Sequence, residues 1–470
     1  MAVDTARITQ ALNPRNVAVI GDKGPAYQWL NSMKTFQGKV FSVQLDPKEI
    51  PGIEAMGVPN FSSMVDIPDD VDYAVIAVPR RVAPIVLKDC IAKGVAGVGM
   101  FTSGFAESGS EEGTALQETI TQMARDSGLV LLGPNCMGLY NPKLGVRFGA
   151  DQPTGDDGGV TVISQSGGHA GGLASTAYAN GVELRVVVSF GNGVVLENED
   201  WLEYFAQDDG TKIIAMYIEG IRDGRSFFGR LREVTKIKPV LVWKGGQTEA
   251  GKRATSSHTG SIGESMDTWD AVIRQAGAIR ADNLEDASDT LKALASLPPF
   301  TGLNAGLTGG TGGQSVSMTD AFSKAGLGVP LLTQDSLDRL GEIMQVVGAS
   351  YYNPIDIGGI NREHFGTILD IWAHDSNVDS LMMQFSPQVF RRSPEAAEEQ
   401  IGEYIGLKAT VGKPMVAVLH STNPYADSEA VHTMEGWLRA AGIPTFPTYE
   451  RAARSLRKVA DYYRFHAGID

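Results

Sequence analysis

The chain has 470 residues, of which 43% are apolar and 20% charged, and carries a formal net charge of −15. That length exceeds one hydrophobic core and implies two to four domains of an ordinary globular protein. The negative balance disfavours nucleic acid as a general partner, and no run approaches the roughly 20 apolar residues a membrane span needs.

The N-terminal segment MAVDTARITQALNP lacks the apolar stretch of a secretion signal. Five short apolar runs follow, separated by helical spacers: Asn16–Gly21, Lys39–Val43, Tyr73–Val78, Gly97–Phe101 and Leu129–Gly133. They predict a doubly wound sheet of Rossmann type. Cys90 and Cys136, the only two cysteines, point to a reducing cytoplasm without a disulfide framework. The Pro- and Gly-containing stretch from Asn141 to Asp157 reads as a linker.

A second block restarts at Val160–Ile163 and continues through Leu184–Val188, Lys212–Ile218 and Pro239–Trp243. A helix over Leu284–Ala295 then ends at Leu297-Pro-Pro-Phe300, a natural boundary. The third block runs through Asn304–Thr308, Ser380–Phe385, Pro414–Leu419 and Gly442–Phe446. Blocks two and three share one plan of strand, small-residue loop and helix. The predicted domains are therefore 1–145, 146–298 and 299–470, all α/β.

Two constellations carry chemistry. In Ser164-Gln165-Ser166-Gly167-Gly168 an apolar strand turns into a helix start, where unpaired N–H groups and glycines let an anion approach closely. Tight strand–helix packing is the competing reading there, and it competes equally for the similar turn Gly309–Gly313. The second is the run Arg253–Ser265, with His258 between Ser257, Thr259 and Gly260. No large neighbour shields that ring, and the small residues predict a movable loop. A neutral imidazole is a nucleophile toward phosphorus when a partner orients it. Glu219, at the end of a strand of the same sheet, is either that partner or a solvated strand-end carboxylate. Of the other six histidines, His364, His374, His432 and His466 read as surface or cap residues. His169 reads as packing near the anion helix, and His420 as a residue beside a strand end that could line a cleft. No CxxC, HExxH, Walker A or GxGxxG pattern occurs, so neither a metal centre nor a nicotinamide site is predicted.

These residues, together with Leu132–Gly138, Ser103–Glu107, Tyr217–Gly220, Trp243–Gly251, Asn353–Asp356 and Pro447–Arg454, resemble a known family. The chain is similar to the α subunit, or α portion, of the NDP-forming (ADP-forming) acyl-CoA synthetases of the succinyl-CoA synthetase superfamily. The resemblance runs along nearly the whole sequence. It implies an N-terminal Rossmann-type CoA-binding domain followed by two flavodoxin-like doubly wound domains. It also implies the reaction acid + CoA + ATP ⇌ acyl-CoA + ADP + phosphate, through an acyl phosphate and a phosphohistidine.

By position, His258 matches the phosphorylated residue and Glu219 the carboxylate that steadies it. Ser164, Gln165, Ser166, Gly167 and Gly168, with Ser257, Thr259 and Gly260, match the phosphate-binding set. Gly21, Lys23, Val78, Pro79, Ser103, Gly104 and Asn135 match the CoA-binding edges. The family's ATP-grasp domain has no counterpart in this sequence, so the resemblance implies an ATP-grasp β subunit holding ATP or ADP with Mg2+, in an α2β2 assembly acting on a small carboxylic acid. Two departures stand out: the loop Gly21–Tyr27 is short and leads into bulky Gln28-Trp29-Leu30, and Glu264 replaces a small residue. The short loop keeps a rival in view, a CoA-binding or sensing protein of the same fold with reduced catalysis.

Overall fold

The computed structural model describes residues 4–155, 157–259, 265–344, 350–358 and 362–469, with backbone alone for 256–259 and 362. The chain forms two compact units, Met1–Ser288 and Asp289–Asp470. Among the described residues no helix is long and apolar enough to cross a membrane.

The first unit holds two sheets. In the first, β1 (Asn16–Ile20), β2 (Lys39–Val43), β3 (Asn60–Phe61), β4 (Tyr73–Ile76), β5 (Gly97–Met100) and β6 (Val130–Leu132) lie in the order β3-β2-β1-β4-β5-β6. Every pairing is parallel. Val17, Ala18, Val19 and Ile20 are all buried, as expected of a parallel strand covered by helices on both faces. This is the dinucleotide-fold order, with its switch point between β1 and β4.

In the second sheet β7 (Gly138–Tyr140) pairs antiparallel with β9 (Leu184–Ser189), and the other pairings are parallel. β8 (Val160–Ser164), β10 (Ile213–Ile218), β11 (Val240–Lys244) and β12 (Ile279–Ala281) complete the order β12-β11-β10-β8-β9-β7. Leaving out β7, this is the flavodoxin-like order with its switch point between β8 and β10.

The second unit has a parallel sheet of β13 (Ala305–Thr308), β14 (Ser380–Phe385), β15 (Met415–Leu419) and β16 (Thr445–Phe446), in that order. A parallel bridge from Thr308 to Ile355 stands on the far side of β13 and marks the remaining flavodoxin-like position. Trp372 and Tyr404, both fully buried, fill its core, and the Tyr404 hydroxyl donates to Val416 O at 2.8 Å.

The predicted strands all form, and so does the helix Leu284–Ser296. The structure adds β3, β7 and β12, which at two, three and three residues are too short to leave a periodic signal. It also corrects the linker reading of Asn141–Asp157. Val146 and Phe148 are buried there, and the buried Arg147 donates to the carbonyls of Ser32 at 3.1 Å and Gln152 at 3.0 Å. A segment whose arginine holds the carbonyl at the end of the helix Gln28–Ser32 is folded against that helix.

Candidate functional site

Ser166 caps the helix Gly167–Ala179, its hydroxyl accepting from His169 N at 3.4 Å. The Ser164 hydroxyl is fully buried and turned inward, donating to Ser166 O at 2.7 Å and accepting from Ser166 N at 3.2 Å. The helix thus begins at Gly167 and Gly168. A Cβ on Gly168 would meet nothing within 4 Å and the residue is exposed, so the helix start is open at this position. Gly167 instead packs under Met137 of the loop after β6.

Gln165 holds the two switch-point strands together. Its Oε1 accepts from the amides of Glu219 and Gly220, and its Nε2 donates to Gly220 O at 3.0 Å. Glu219 is 7% exposed, and the Tyr217 hydroxyl is hydrogen-bonded to its carboxylate. Burial and that neighbouring negative charge push the Tyr217 phenol well above its ordinary range. The buried Lys244 amine donates to Glu219 O at 2.8 Å and Gly245 O at 2.7 Å. His169 packs against Tyr217 and Trp243 with ring centroids 4.2 and 4.5 Å away. Burial lowers its pKa and Glu219 opposes the shift, which favours the neutral ring. Tyr217, Trp243 and Lys244 had a sequence signal only through the family-like motifs that contain them.

The segment carrying His258 departs from the loop reading, because Glu249–Thr259 is a helix. Thr248 Oγ1 accepts from Gly251 N at 3.0 Å, Glu249 stands in the first turn, and Glu249 pairs with Lys252 at 2.6 Å. These local devices override the weak helix preference of the Ser and Thr residues. Gly260 and the side chains of Ser257, His258 and Thr259 lie outside the described residues. This helix follows β11 and lies against the short 3-10 turn Ala106–Ser108, which follows β5.

The C-terminal edges of the two sheets therefore meet. Glu107 accepts from Gly104 N at 2.6 Å and from Asn192 Nδ2 at 2.6 Å, joining the loop after β5 to the loop after β9. Asn135, left-handed at φ 59°, and Pro134 approach Gly191 so closely that a Cβ there would collide with their carbonyls. Gly104 has its amide taken by Glu107 and its carbonyl by Arg80, while Ser103 is exposed beside it. Gly21 adopts φ +82° and touches Val78, so the ends of β1 and β4 abut at the first switch point. Lys23 and Pro79 are exposed there.

In the second unit a cavity of about 820 Å³ lies at the ends of the parallel strands, with the Gly309–Gly313 turn on its wall. His420, beside a strand end, lines it and stacks on Tyr449 at 5.4 Å; the Tyr449 hydroxyl donates to Gln384 Oε1 at 2.6 Å.

Residues 15–142 match the CoA binding domain family, and residues 157–294 match the succinyl-CoA ligase like flavodoxin domain. The chain is 34% identical to the Pyrococcus furiosus acetate–CoA ligase [ADP-forming] I subunit alpha, over 97% of each chain. It is 32% identical to the Archaeoglobus fulgidus acetate–CoA ligase [ADP-forming] I, over 97% of this chain but 63% of that protein's length. Among solved structures, the dinucleotide forming acetyl-coenzyme A synthetase 1 of Ca. Korarchaeum cryptofilum, in complex with phosphate and ADP, aligns with a TM-score of 0.83 at 29% identity. That alignment covers 99% of this chain and 98% of the other. PH0766 from Pyrococcus horikoshii OT3 aligns with a TM-score of 0.80 at 27% identity, over 98% and 100% of the two chains.

Proposed function

Because the chain belongs to the family of ADP-forming acetate–CoA ligase alpha subunits, we propose that it forms acyl-CoA from a carboxylic acid, CoA and ATP, reversibly, through a phosphohistidine at His258. The observation that carries this reading is the meeting of three features at adjoining sheet ends. They are the open helix start at Gly168, the buried Glu219 beside it, and the His258 helix lying against the turn of the CoA-binding sheet.

In the synthetic direction ATP phosphorylates His258: the ring nitrogen bonds to the γ-phosphorus, the phosphoanhydride breaks and ADP leaves. The acid's carboxylate then attacks that phosphorus, the N–P bond breaks, and an acyl phosphate and free imidazole result. The CoA thiolate next attacks the acyl carbon and phosphate departs, its proton balance met by solvent. Glu219, held by Tyr217, would orient the imidazole and steady its charge. The amides of Gly167 and Gly168, with the Ser166 cap, would receive the phosphoryl oxygens. Ser164 and Gln165 would act by shaping that turn and strand end. Ser257, Thr259 and Gly260 would flank the ring.

In this reading Gly21, Lys23, Val78, Pro79, Ser103, Gly104 and Asn135 border the CoA crevice. The domains are 1–145, 146–298 and 299–470. An ATP-grasp β subunit supplies ATP or ADP with Mg2+, in an α2β2 assembly in the cytoplasm. The half-reaction on this chain alone tests the proposal. Acetyl phosphate labelled at phosphorus should leave an acid-labile, base-stable label, and equal labelling of His258→Ala would sink it. The rival reading, a CoA-binding or sensing protein of reduced activity, draws on the short loop after β1; CoA binding without any labelling would favour it.

A further inference from the structure

In a fold of this strand order the phosphates of a nucleotide ligand ordinarily meet the helix start after β1. Here that place is filled. The Asp22 carboxylate accepts from Lys23 N at 3.1 Å and Leu30 N at 2.8 Å, and Trp29 N also donates to it. Gly24 N donates to Glu49 Oε2 at 2.8 Å. Asp22 is 5% exposed and its backbone carbonyl is held by Gln44 Nε2 at 2.8 Å, so the arrangement is built into the core. The helix that follows, Gln28–Ser32, has only five residues. Two carboxylates thus hold the amides that a diphosphate would need.

Across the switch point the charge reverses. Arg80 and Arg81 stand just after Val78, the residue that touches Gly21. Arg80 Nη1 donates to Gly104 O at 2.6 Å, and its Nη2 meets Glu112 at 2.7 Å. Arg81 Nε meets the same carboxylate at 2.6 Å. One carboxylate is thus shared by two guanidiniums, while the nearby Glu107 is engaged by the amides of Gly104 and Phe105. The Arg81 side chain is 75% exposed and that of Glu112 42% exposed, so this ion pair is of the weak, exchangeable kind. Guanidinium forks match phosphate oxygens as well as they match carboxylates. Leu45 after β2 and Phe101 after β5 are exposed apolar residues beside the same strand ends, suited to the uncharged parts of such a ligand.

We propose that the phosphates of CoA dock on Arg80 and Arg81, displacing Glu112, and not on the loop after β1. This rests on the reading that the chain binds CoA. Arg80 also ties Gly104, so Arg81 carries the cleaner test. Titration calorimetry of the full chain with CoA, 3′-dephospho-CoA and pantetheine, at two salt concentrations, compares the wild type with Arg81→Gln, Glu112→Gln and Asp22→Asn. Arg81→Gln should weaken CoA about tenfold, flatten its salt dependence and leave pantetheine unchanged. Glu112→Gln should tighten CoA severalfold, and Asp22→Asn should leave it within twofold. Selective loss of CoA over dephospho-CoA in Arg81→Gln assigns the 3′-phosphate to this pair, and equal loss of both assigns the diphosphate. Tight wild-type binding that Arg81→Gln leaves unchanged, or a tenfold gain from Asp22→Asn, overturns the proposal alone. A wild-type chain that binds no CoA overturns the functional reading and the proposal with it.

Discussion

Gln165 and Gly220 exchange a pair of hydrogen bonds, each 3.0 Å long, in which a side-chain carboxamide takes the place of a neighbouring strand. Gln165 lies just past β8 and Gly220 just past β10, so the carboxamide extends their parallel pairing beyond the last backbone register at Ser164 and Tyr217. It thereby fixes where Glu219 leaves the sheet.

Gln165→Ala should therefore cost more than a surface change. Three neutral hydrogen bonds at about 1 kcal/mol each suggest roughly 2–3 kcal/mol, with the buried amides of Glu219 and Gly220 losing this acceptor. Urea unfolding checks the stability. Histidine labelling from acetyl phosphate should slow in parallel, while CoA affinity should stay within twofold.

Glu219→Gln retains the shape of the buried side chain but removes its charge. If Glu219 orients and stabilises the ring, the labelling rate should fall on the order of 10²- to 10⁴-fold. Thermal stability should change far less, and a rate within threefold of wild type would assign Glu219 a packing role.

His169 supplies a pH signature. Its folded pKa lies below the ordinary value of 6.5, with burial as the leading cause. The unfolded chain therefore binds the extra proton more readily, so this contribution to stability is fully present above about pH 6.5 and declines as the pH falls below it. Unfolding midpoints measured from pH 5 to 8 should show that decline in the wild type and a weaker one in His169→Phe.

In the second unit, Arg451 forms a two-pronged pair with Asp289, at 2.6 and 2.8 Å, and Asp289 is fully buried. Arg451→Ala strands that carboxylate beside Lys292 and should cost about 3–5 kcal/mol. A loss under 1 kcal/mol in chemical denaturation would show that Lys292 alone compensates Asp289.

Gly21→Ala tests the first switch point. A Cβ there would stand 2.5 Å from Val78 Cγ1 on a backbone at φ +82°. Left-handed strain and crowding together should cost about 2 kcal/mol or more. Differential scanning calorimetry reads that loss directly.

Much of the architecture was legible because buried parallel strands are near-continuous apolar runs, as in Asn16–Ile20 and Ile213–Ile218. The turn at Ser164–Gly168 was legible too, since glycine doublets after a strand mark a helix start. What sequence hid was tertiary. The Ser and Thr residues around His258 suggest a loop, yet the Thr248 cap and the Glu249–Lys252 pair carry a helix to Thr259. A short loop after β1 was visible, but not that Asp22 would turn back to hold its amides. Likewise the packing of Asn141–Asp157 depends in part on Arg147 reaching the carbonyl of Ser32, far away in the sequence.

The crowding at Gly191 has a bearing on chimeras. Any residue larger than glycine there would strike the Pro134 and Asn135 carbonyls, so the gap between the two sheets of the first unit is fixed by a missing methyl group. A graft that exchanges either sheet with that of a relative must carry both the 133–138 and the 190–193 loops, or the donor and recipient halves will be held apart at the seam.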